Sequence, residues 1–254
     1  HDAPNTLYYY CTSHSGMGSS ITGITTNEKL ADQYASNCVL ALPLVGGNSD
    51  VCASIACTAS TKSVTSNGNA AASSDSSNFY NGSFEFDGTG DYLSIADSDD
   101  LDGFNDFTIE MWINGTDIAS NDVLITKGWN ESSYAPYLLH FGGSGSLVLY
   151  LSSNNSSWDI VGGSTCSTAT FEDKGWHHFA ISRSGSNIRC FTDGIETHSF
   201  TSSTQIASNS QPLYIAAGYN AATPMQGYIQ DVRIYKGVAK YTSDFVVPAT
   251  SRDI

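Results

Sequence analysis

The feature that most constrains this chain is a stretch of alternating apolar and polar residues at 82–93, interrupted by a glycine-rich turn. Phe84 and Phe86 alternate with Glu85 and Asp87, and a second short apolar segment follows the turn. Because successive side chains of a strand point to opposite faces, this pattern predicts an antiparallel hairpin with one buried face.

The same alternation recurs along the rest of the chain, which predicts an all-β protein. Many short strands separated by Gly, Asp and Ser turns are typical of a sandwich or barrel. No period of 20 to 50 residues repeats, which excludes a solenoid or propeller. The predicted strands are 38–44, 61–65, 84–87, 91–95, 107–113, 122–127, 136–141, 146–152, 157–162, 176–183, 187–192, 195–200, 212–217 and 227–235.

Four of these segments (82–93, 107–113, 176–183 and 227–235) resemble, in this order, the laminin-G-like domains of the concanavalin-A-like superfamily. The short turn at 193–194 lies where that family has one. The resemblance implies an antiparallel β-sandwich of the jelly-roll type over residues 38–254, in a family whose members often bind glycans. Residues 1–37 are then expected to form an accessory segment with a strand, a turn and a short helix at 27–35.

The N-terminal segment carries a second resemblance, to the last strand and loop of a cupredoxin, in residues 8–18. Cys11, His14 and Met17 are the residue types that hold blue copper. The family's second histidine comes from a strand further upstream, and the Cys-to-Met spacing here is shorter than usual. Copper is therefore not expected, and residues 1–26 are interpreted as the end of a cupredoxin-like module. A chain that starts at His1 is expected to be a processed or excised part of a longer polypeptide.

The charge and hydropathy of the chain limit the classes of molecule that it can bind. The formal net charge is -15 and Lys and Arg total 10, so the chain lacks the basic surface that nucleic acids require. No run of 18 apolar residues exists that could span a membrane. An acidic surface with few amines suits neutral sugars or cations.

Six cysteines in a Ser- and Thr-rich chain indicate an oxidising compartment. Cys52 and Cys57 are near enough in sequence to close a small loop. Cys166 and Cys190 flank the strand predicted at 176–183 and could meet across it. Sequence does not choose among the 15 possible connectivities, and unpaired buried thiols are an equal alternative.

Catalysis is not expected. Sandwiches that hydrolyse β-glucans carry two carboxylates on one strand, about 5–5.5 Å apart in the retaining mechanism. The nearest pattern here is Glu85 and Asp87, which runs directly into the glycine-rich turn, and Glu110 has no acidic neighbour on its strand. The sequence therefore predicts a protein that is not an enzyme.

The laminin-G resemblance implies one structural calcium ion between the first and last strands of the sandwich. Asp231 matches the last-strand position, and Asn48 or Asp50 could supply oxygen ligands from the first-strand side. Gln230 stands where a second aspartate is frequent in the family.

Aromatic residues in predicted loops are the candidates for a glycan site, because exposed aromatic rings need an explanation. The alternative is that these loops fold back onto the core as lids. The paired His177 and His178 are expected to be structural. The predicted ligand-binding residues are Trp129, Tyr134, Tyr137, Trp158, Tyr219 and Asn220.

These features predict a non-catalytic extracellular recognition or structural module that binds glycans and other subunits of a larger assembly. The phrases at 8–18 and 241–245 resemble parts of structural proteins of tailed viruses of marine bacteria. That resemblance implies a virion fibre, spike or decoration protein that contacts host-surface glycans. Two alternatives remain: a secreted or cell-surface bacterial adhesin, and a purely architectural subunit.

Overall fold

The computed structural model describes residues 32–247 except 56, 131, 132, 168, 170 and 172, together with the strand backbone of 6–10 and 18–22. Within this part of the chain, regular structure consists of strands and five single-turn 3₁₀ helices. The 3₁₀ helices are Ala35–Asn37, Cys52–Ser54, Asp99–Leu101, Gly143–Gly145 and Tyr219–Ala221.

Seventeen strands are described, and in chain order they are numbered β1 to β17. They are β1 (Thr6–Tyr10), β2 (Gly18–Thr22), β3 (Cys38–Leu42), β4 (Val64–Asn67), β5 (Ala71–Ser73), β6 (Ser83–Asp87), β7 (Tyr92–Ile95), β8 (Phe107–Gly115), β9 (Val123–Lys127), β10 (Tyr137–Phe141), β11 (Leu147–Leu151), β12 (Val161–Ser167), β13 (His177–Ser184), β14 (Asn187–Thr192), β15 (Ile195–Thr201), β16 (Leu213–Ile215) and β17 (Gln226–Lys236).

Two antiparallel sheets form a sandwich, as the sequence predicts. One sheet has seven strands in the order β12-β11-β10-β9-β16-β7-β4. The other has eight: β15-β14-β13-β8-β17-β6-β5, with β3 paired to the C-terminal half of β17. Non-consecutive strands are neighbours in both sheets, as jelly-roll connections require.

The core lies between the two sheets and follows the alternation of the strands. Ile109, Met111 and Ile113 of β8 face inward, as do Phe179 and Ile181 of β13. These side chains are fully or almost fully buried. Burying each one stabilises the fold by roughly 1.5–3 kcal/mol, so the apolar face of each strand sets its orientation.

Two predicted strands are wrong in their positions: β4 lies at Val64–Asn67 instead of 61–65, and β12 is the second. Residues 157–162 were expected to be extended, but β12 starts at Val161. Asn154 Oδ1 accepts hydrogen bonds from the backbone N–H groups of Ser156 and Ser157, at 2.8 and 3.0 Å. This turn, closed by the Asn154 side chain, takes the place of strand pairing in the residues before β12.

The accessory segment is described only in part. β1 and β2 pair with each other antiparallel, in agreement with the strand predicted at the start of the chain. Cys11, His14 and Met17, and most of the short helix predicted at 27–35, lie outside the described residues. The proposed boundary between residues 37 and 38 coincides with the start of β3 and stays a prediction.

One of the cysteine pairings left open by the sequence is formed. Cys166 in β12 and Cys190 in β14 make a disulfide that links the edge strand of the seven-stranded sheet to the strand next to the edge of the other sheet. Cys38, Cys52 and Cys57 are free thiols. No helix among the described residues is long and apolar enough to cross a membrane.

The neighbouring histidines face opposite environments. His177 Nδ1 lies 2.7 Å from Asp193 Oδ2, and its Nε2 lies 3.1 Å from Asp173 Oδ2. Burial lowers the pKa of His177, but the hydrogen bonds to the two aspartates outweigh it and leave the pKa raised. His178 is buried beside Trp112, with 5.3 Å between ring centroids.

Candidate functional site

A pocket of about 330 Å³ lies on the outer face of the seven-stranded sheet. This volume is at the lower end of the range typical of small-molecule sites. Its floor comes from β10 and β11 and its walls from four loops. The residues that line it, called here the aromatic pocket, are Asn121, Trp129, Leu138, His140, Tyr150, Trp158 and Thr223.

The floor follows from strand alternation. Leu139 and Phe141 of β10 belong to the core, so Leu138 and His140 point outward. In β11, Tyr150 points outward between two inward leucines. The His140 and Tyr150 rings stack, with centroids 5.4 Å apart and planes 26° apart. The two strands thus present a flat, largely apolar surface.

Trp158 forms one wall. It lies in the loop between β11 and β12, where its ring centroid is 5.0 Å from that of Tyr150 and 5.3 Å from that of Tyr134. Gly163 permits this arrangement: its φ is +79°, and an added Cβ would lie 2.5 Å from the Tyr150 ring. The glycine therefore makes room for Tyr150 beside Trp158.

Trp129 forms the opposite wall, two residues after the end of β9. Its backbone carbonyl accepts a hydrogen bond of 2.8 Å from the N–H of Tyr219. Gly218 packs directly on it, since a Cβ there would lie 3.0 Å from Trp129 Cε3. The loop between β16 and β17 thereby holds Trp129 in place.

The aromatic pocket contains few polar groups, and none of them is charged. The Thr223 hydroxyl is buried and has no hydrogen-bond partner among the described residues. His140 Nδ1 lies 2.8 Å from the Phe141 carbonyl oxygen, which can only accept, so Nδ1 carries the proton and Nε2 keeps its lone pair. Burial lowers the pKa of His140, which favours this neutral form at pH 7. Asn121 adds an exposed side-chain amide at the rim.

The predicted ligand-binding residues divide into three groups. Trp129 and Trp158 line the pocket. Tyr134 and Tyr219 lie beside these tryptophans and are 44% and 47% exposed, and Asn220 is an exposed neighbour of Tyr219. Tyr137 is the exception.

Tyr137 belongs to the core, so the expectation of ligand contact is wrong for this residue. It is 2% exposed, and its hydroxyl donates a 2.8 Å hydrogen bond to the Leu101 carbonyl. Its ring stacks on Phe104, with centroids 5.8 Å apart. Tyr137 shares the inward face of β10 with Leu139, and strand alternation places both on the same side.

Sequence reasoning missed the whole pocket floor and two wall residues. The alternation Leu-Val-Leu-Tyr-Leu in β11 contained the signal that Tyr150 faces outward. His140 lacked such a signal, because both faces of β10 are buried. Asn121 and Thr223 belong to loops far apart in sequence that meet only in the folded protein, where Val123 N–H donates to the Thr223 carbonyl at 2.9 Å.

The residues predicted to bind calcium have partners within the protein. Asp50 accepts hydrogen bonds from three backbone N–H groups, those of Ala41, Cys52 and Lys62. Asp231 Oδ1 lies 2.8 Å from Arg233 Nε. The Asn48 side-chain amide donates to the Val64 carbonyl at 3.0 Å. A calcium ion there would compete with these contacts. Calcium stays a prediction, which unchanged thermal stability upon chelation would contradict.

The carboxylates considered for catalysis lie outside the aromatic pocket, whose lining contains no carboxylate. Glu110 is buried on the eight-stranded sheet, and it pairs with Lys240 and accepts a 2.6 Å hydrogen bond from Tyr241. Burial opposes its ionisation, but Lys240 and His178 outweigh this and lower its pKa. Glu110 is therefore a structural anion that fastens the segment after β17 to the sheet.

Residues 87–240 match the family described as the concanavalin A-like lectin/glucanases superfamily. The chain belongs to this superfamily. The match spans β7 to β17 and includes every residue of the aromatic pocket. No individual curated protein matches this superfamily member in sequence.

Solved structures share its fold at low sequence identity. The binding domain of Paraclostridial mosquitocidal protein 1 aligns at 13% identity over 80% of this chain and 50% of that chain, with a TM-score of 0.61. Domain 4 of AbnA, a GH43 extracellular arabinanase from Geobacillus stearothermophilus solved with arabinotriose, aligns at 13% identity over 80% and 94%, with a TM-score of 0.56. The binding domain of botulinum neurotoxin DC in complex with SialylT aligns at 12% identity over 79% and 48%, with a TM-score of 0.57. The chain thus spans about half the length of the toxin binding domains that it matches.

Proposed function

We propose that this protein is a non-catalytic glycan-binding module and that the aromatic pocket holds a neutral sugar. One observation carries the proposal: Trp129, Tyr150 and Trp158 surround a pocket whose lining contains no charged side chain. Aromatic rings on a surface loop and an outward strand face contribute little to the core, and their clustering fits a ligand with an apolar face.

The chemistry of a sugar ring matches this lining. Its C–H groups pack against the faces of aromatic rings, whose π-systems are electron-rich. Its hydroxyls need hydrogen-bond partners when they leave water. The Thr223 hydroxyl, the Asn121 amide and the His140 Nε2 lone pair supply both donors and acceptors.

Charge favours a neutral sugar over an acidic one. The protein carries a net charge of -15, and the pocket contains no Lys or Arg. An anionic sugar would be repelled by the overall field and would find no cation to offset the loss of hydration. The expected ligands are therefore uncharged hexoses or pentoses and their oligomers.

The comparisons support this proposal without deciding it. One structural relative is an arabinanase domain solved with arabinotriose, and several are toxin binding domains. A shared fold does not by itself establish a shared ligand. The absence of carboxylates from the pocket lining supports a binding role, because glycoside hydrolysis needs a carboxylate pair.

We further propose that the module works outside the cell as part of a larger assembly, such as a virion fibre, spike or decoration protein. The Cys166–Cys190 disulfide supports an oxidising location. The viral setting rests on the sequence resemblance at 8–18 and 241–245. A cell-surface adhesin would use the same pocket, whereas a purely architectural subunit would not bind sugar.

A glycan array with the purified protein, followed by calorimetry on the best neutral sugar, tests the proposal. Trp158→Ala is expected to abolish detectable binding and Trp129→Ala to weaken it strongly. Tyr80→Ala is the matched control, since Tyr80 is a 54% exposed aromatic residue outside the pocket, and it should bind normally. A folded protein that binds no glycan, or one whose binding survives both tryptophan substitutions, would refute this function.

A further inference from the structure

Three cysteine side chains meet on the eight-stranded sheet, the sheet opposite the aromatic pocket. Cys38 starts β3, Cys52 starts a 3₁₀ helix, and Cys57 follows that helix. Their sulfur atoms all lie within 4.8 Å of one another. All three are free thiols, whereas Cys166 and Cys190 form a disulfide. We call Cys38, Cys52 and Cys57 the thiol cluster.

Backbone hydrogen bonds hold the cluster in position. Asp50 Oδ1 accepts from the N–H groups of Ala41 and Cys52, each at 3.1 Å, and thereby ties the helix to β3. The N–H of Cys57 donates to the Cys52 carbonyl at 3.1 Å. The arrangement is therefore set by the loop and the strand, before any ligand binds.

The side chains around the thiol cluster are apolar except for a few charged groups. Cys38 and Cys52 are fully buried in a small core of their own with Ile55 and Tyr235, while Cys57 is half-buried. Cys57 is consequently the member that solvent or an incoming ion can reach.

Burial and the neighbouring thiols shift the pKa of each cysteine in the cluster. A hydrogen bond from the Cys52 thiol lowers the pKa of Cys38, against the effect of burial, and the charge of Arg233 adds to this. The same hydrogen bond and burial raise the pKa of Cys52, and burial is the main cause that raises the pKa of Cys57 to about 12. A cation held by the three sulfurs would take the place of their protons.

We propose that the thiol cluster binds one soft, zinc-like cation through three thiolates. In tetrahedral Zn²⁺ sites the Zn–S distance is about 2.3 Å, which places sulfurs about 3.8 Å apart. The three sulfurs already lie within 4.8 Å of one another, so a tetrahedral ion needs only small adjustments of these distances. Soft sulfur donors favour Zn²⁺, Cd²⁺ or Cu⁺ over Mg²⁺ and Ca²⁺, which need oxygen ligands.

Binding breaks three S–H bonds, forms three metal–sulfur bonds and releases three protons to solvent. A water molecule on the half-exposed Cys57 side would complete the tetrahedron, as in zinc sites with three protein ligands. The two positive charges of the ion leave the site with a net charge of -1. The positive charge of Arg233, which also pairs with Asp231, acts on Cys38. The cation would cross-link the helix at 52–54 to β3.

The experiment loads the purified, reduced protein with zinc, removes excess by dialysis and measures metal by mass spectrometry. We expect one zinc per chain, and protection of Cys57 from alkylation in the zinc-loaded but not the metal-free protein. Cobalt loading should produce thiolate-to-metal charge-transfer absorption, and magnesium should not be retained. Cys57→Ser removes a direct zinc ligand. Zinc affinity should therefore fall by more than the roughly 10–100-fold seen when a residue that only supports a ligand is lost. Ser54→Ala, an exposed neighbour in the same helix, should retain zinc.

Three results would overturn the proposal. One is a disulfide between two of the three cysteines in freshly purified protein, detected by peptide mapping. Another is zinc uptake that is the same in Cys57→Ser as in the unaltered protein. The third is alkylation of Cys57 at equal rates with and without zinc. The alkylation measurement uses the unaltered chain, so it decides the question even if a cysteine variant fails to fold.

Discussion

The buried ammonium group of Lys127 offers the sharpest test of what holds the loops around the aromatic pocket. Its side chain is 0% exposed, and Nζ lies 2.6 Å from Asp97 Oδ1 and 3.0 Å from Asp102 Oδ2. It also donates to the Asn209 carbonyl at 3.1 Å. Lys127 is the last residue of β9, two positions before Trp129. One cation thus ties two chain segments, the β7–β8 and β15–β16 connections, to the strand that leads into the pocket.

Lys127→Met keeps the length of the side chain and removes its charge. Asp97 is 36% exposed and regains water, but Asp102 is 2% exposed and keeps a buried negative charge. Removing one partner of a buried ion pair costs about 3–5 kcal/mol, because the remaining charge is uncompensated. We therefore expect the free energy of unfolding to fall by about 3–5 kcal/mol.

Urea denaturation followed by tryptophan fluorescence measures this loss, provided that the m-value is unchanged. Arg189→Met is the control: Arg189 Nε lies 3.4 Å from Glu196 Oε2, and the two side chains are 22% and 32% exposed. Its loss should cost less than about 1 kcal/mol. The double variant Lys127→Met with Asp102→Asn should be more stable than Lys127→Met alone. A cost below about 1 kcal/mol for Lys127→Met, or no recovery in the double variant, would refute the reasoning.

Two further predictions concern the pocket and pH. Gly163→Ala should weaken sugar binding, because the added Cβ would displace the Tyr150 ring. Gly185 is also at positive φ but has open space around it, so Gly185→Ala should lower stability without weakening sugar binding. Equal binding by both variants would contradict this steric argument. The raised pKa of His177 makes its contribution to stability complete below the unfolded value of about 6.5, and the contribution is lost as pH rises through the folded pKa. Unfolding measurements on His177→Gln should therefore show a larger deficit at about pH 5.5 than at about pH 9, and a constant deficit would mean that the aspartate contacts do not stabilise the imidazolium.

The fold was readable from the chain because alternation encodes which face of a strand is buried. Phe84 and Phe86 face the core as their spacing predicts, and so do the inward residues of β8 and β13. Where both faces are buried, the signal disappears. In β10 all five residues, Tyr137–Phe141, are buried, so the sequence could not tell that Tyr137 packs in the core while His140 lines the pocket.

The same limit explains why the sequence predicted only part of the pocket lining. Trp129 and Trp158 were identified because large aromatic residues in turn-rich loops are unusual, and that is a local property of the sequence. Asn121 and Thr223 were missed because they lie about a hundred positions apart and meet only where a loop crosses the start of β9.

The sequence by itself determined most of the strands, the inward faces of strands with one buried face, the sandwich, the net negative charge and the residue types available for a sugar site. Only the tertiary structure decided which residues come together: the seven that line the aromatic pocket, the disulfide between Cys166 and Cys190, and the thiol cluster. The physical reason is that strand formation depends on neighbours two residues away. Pockets and thiol clusters instead depend on strand order and loop paths, which arise when the two sheets pack together.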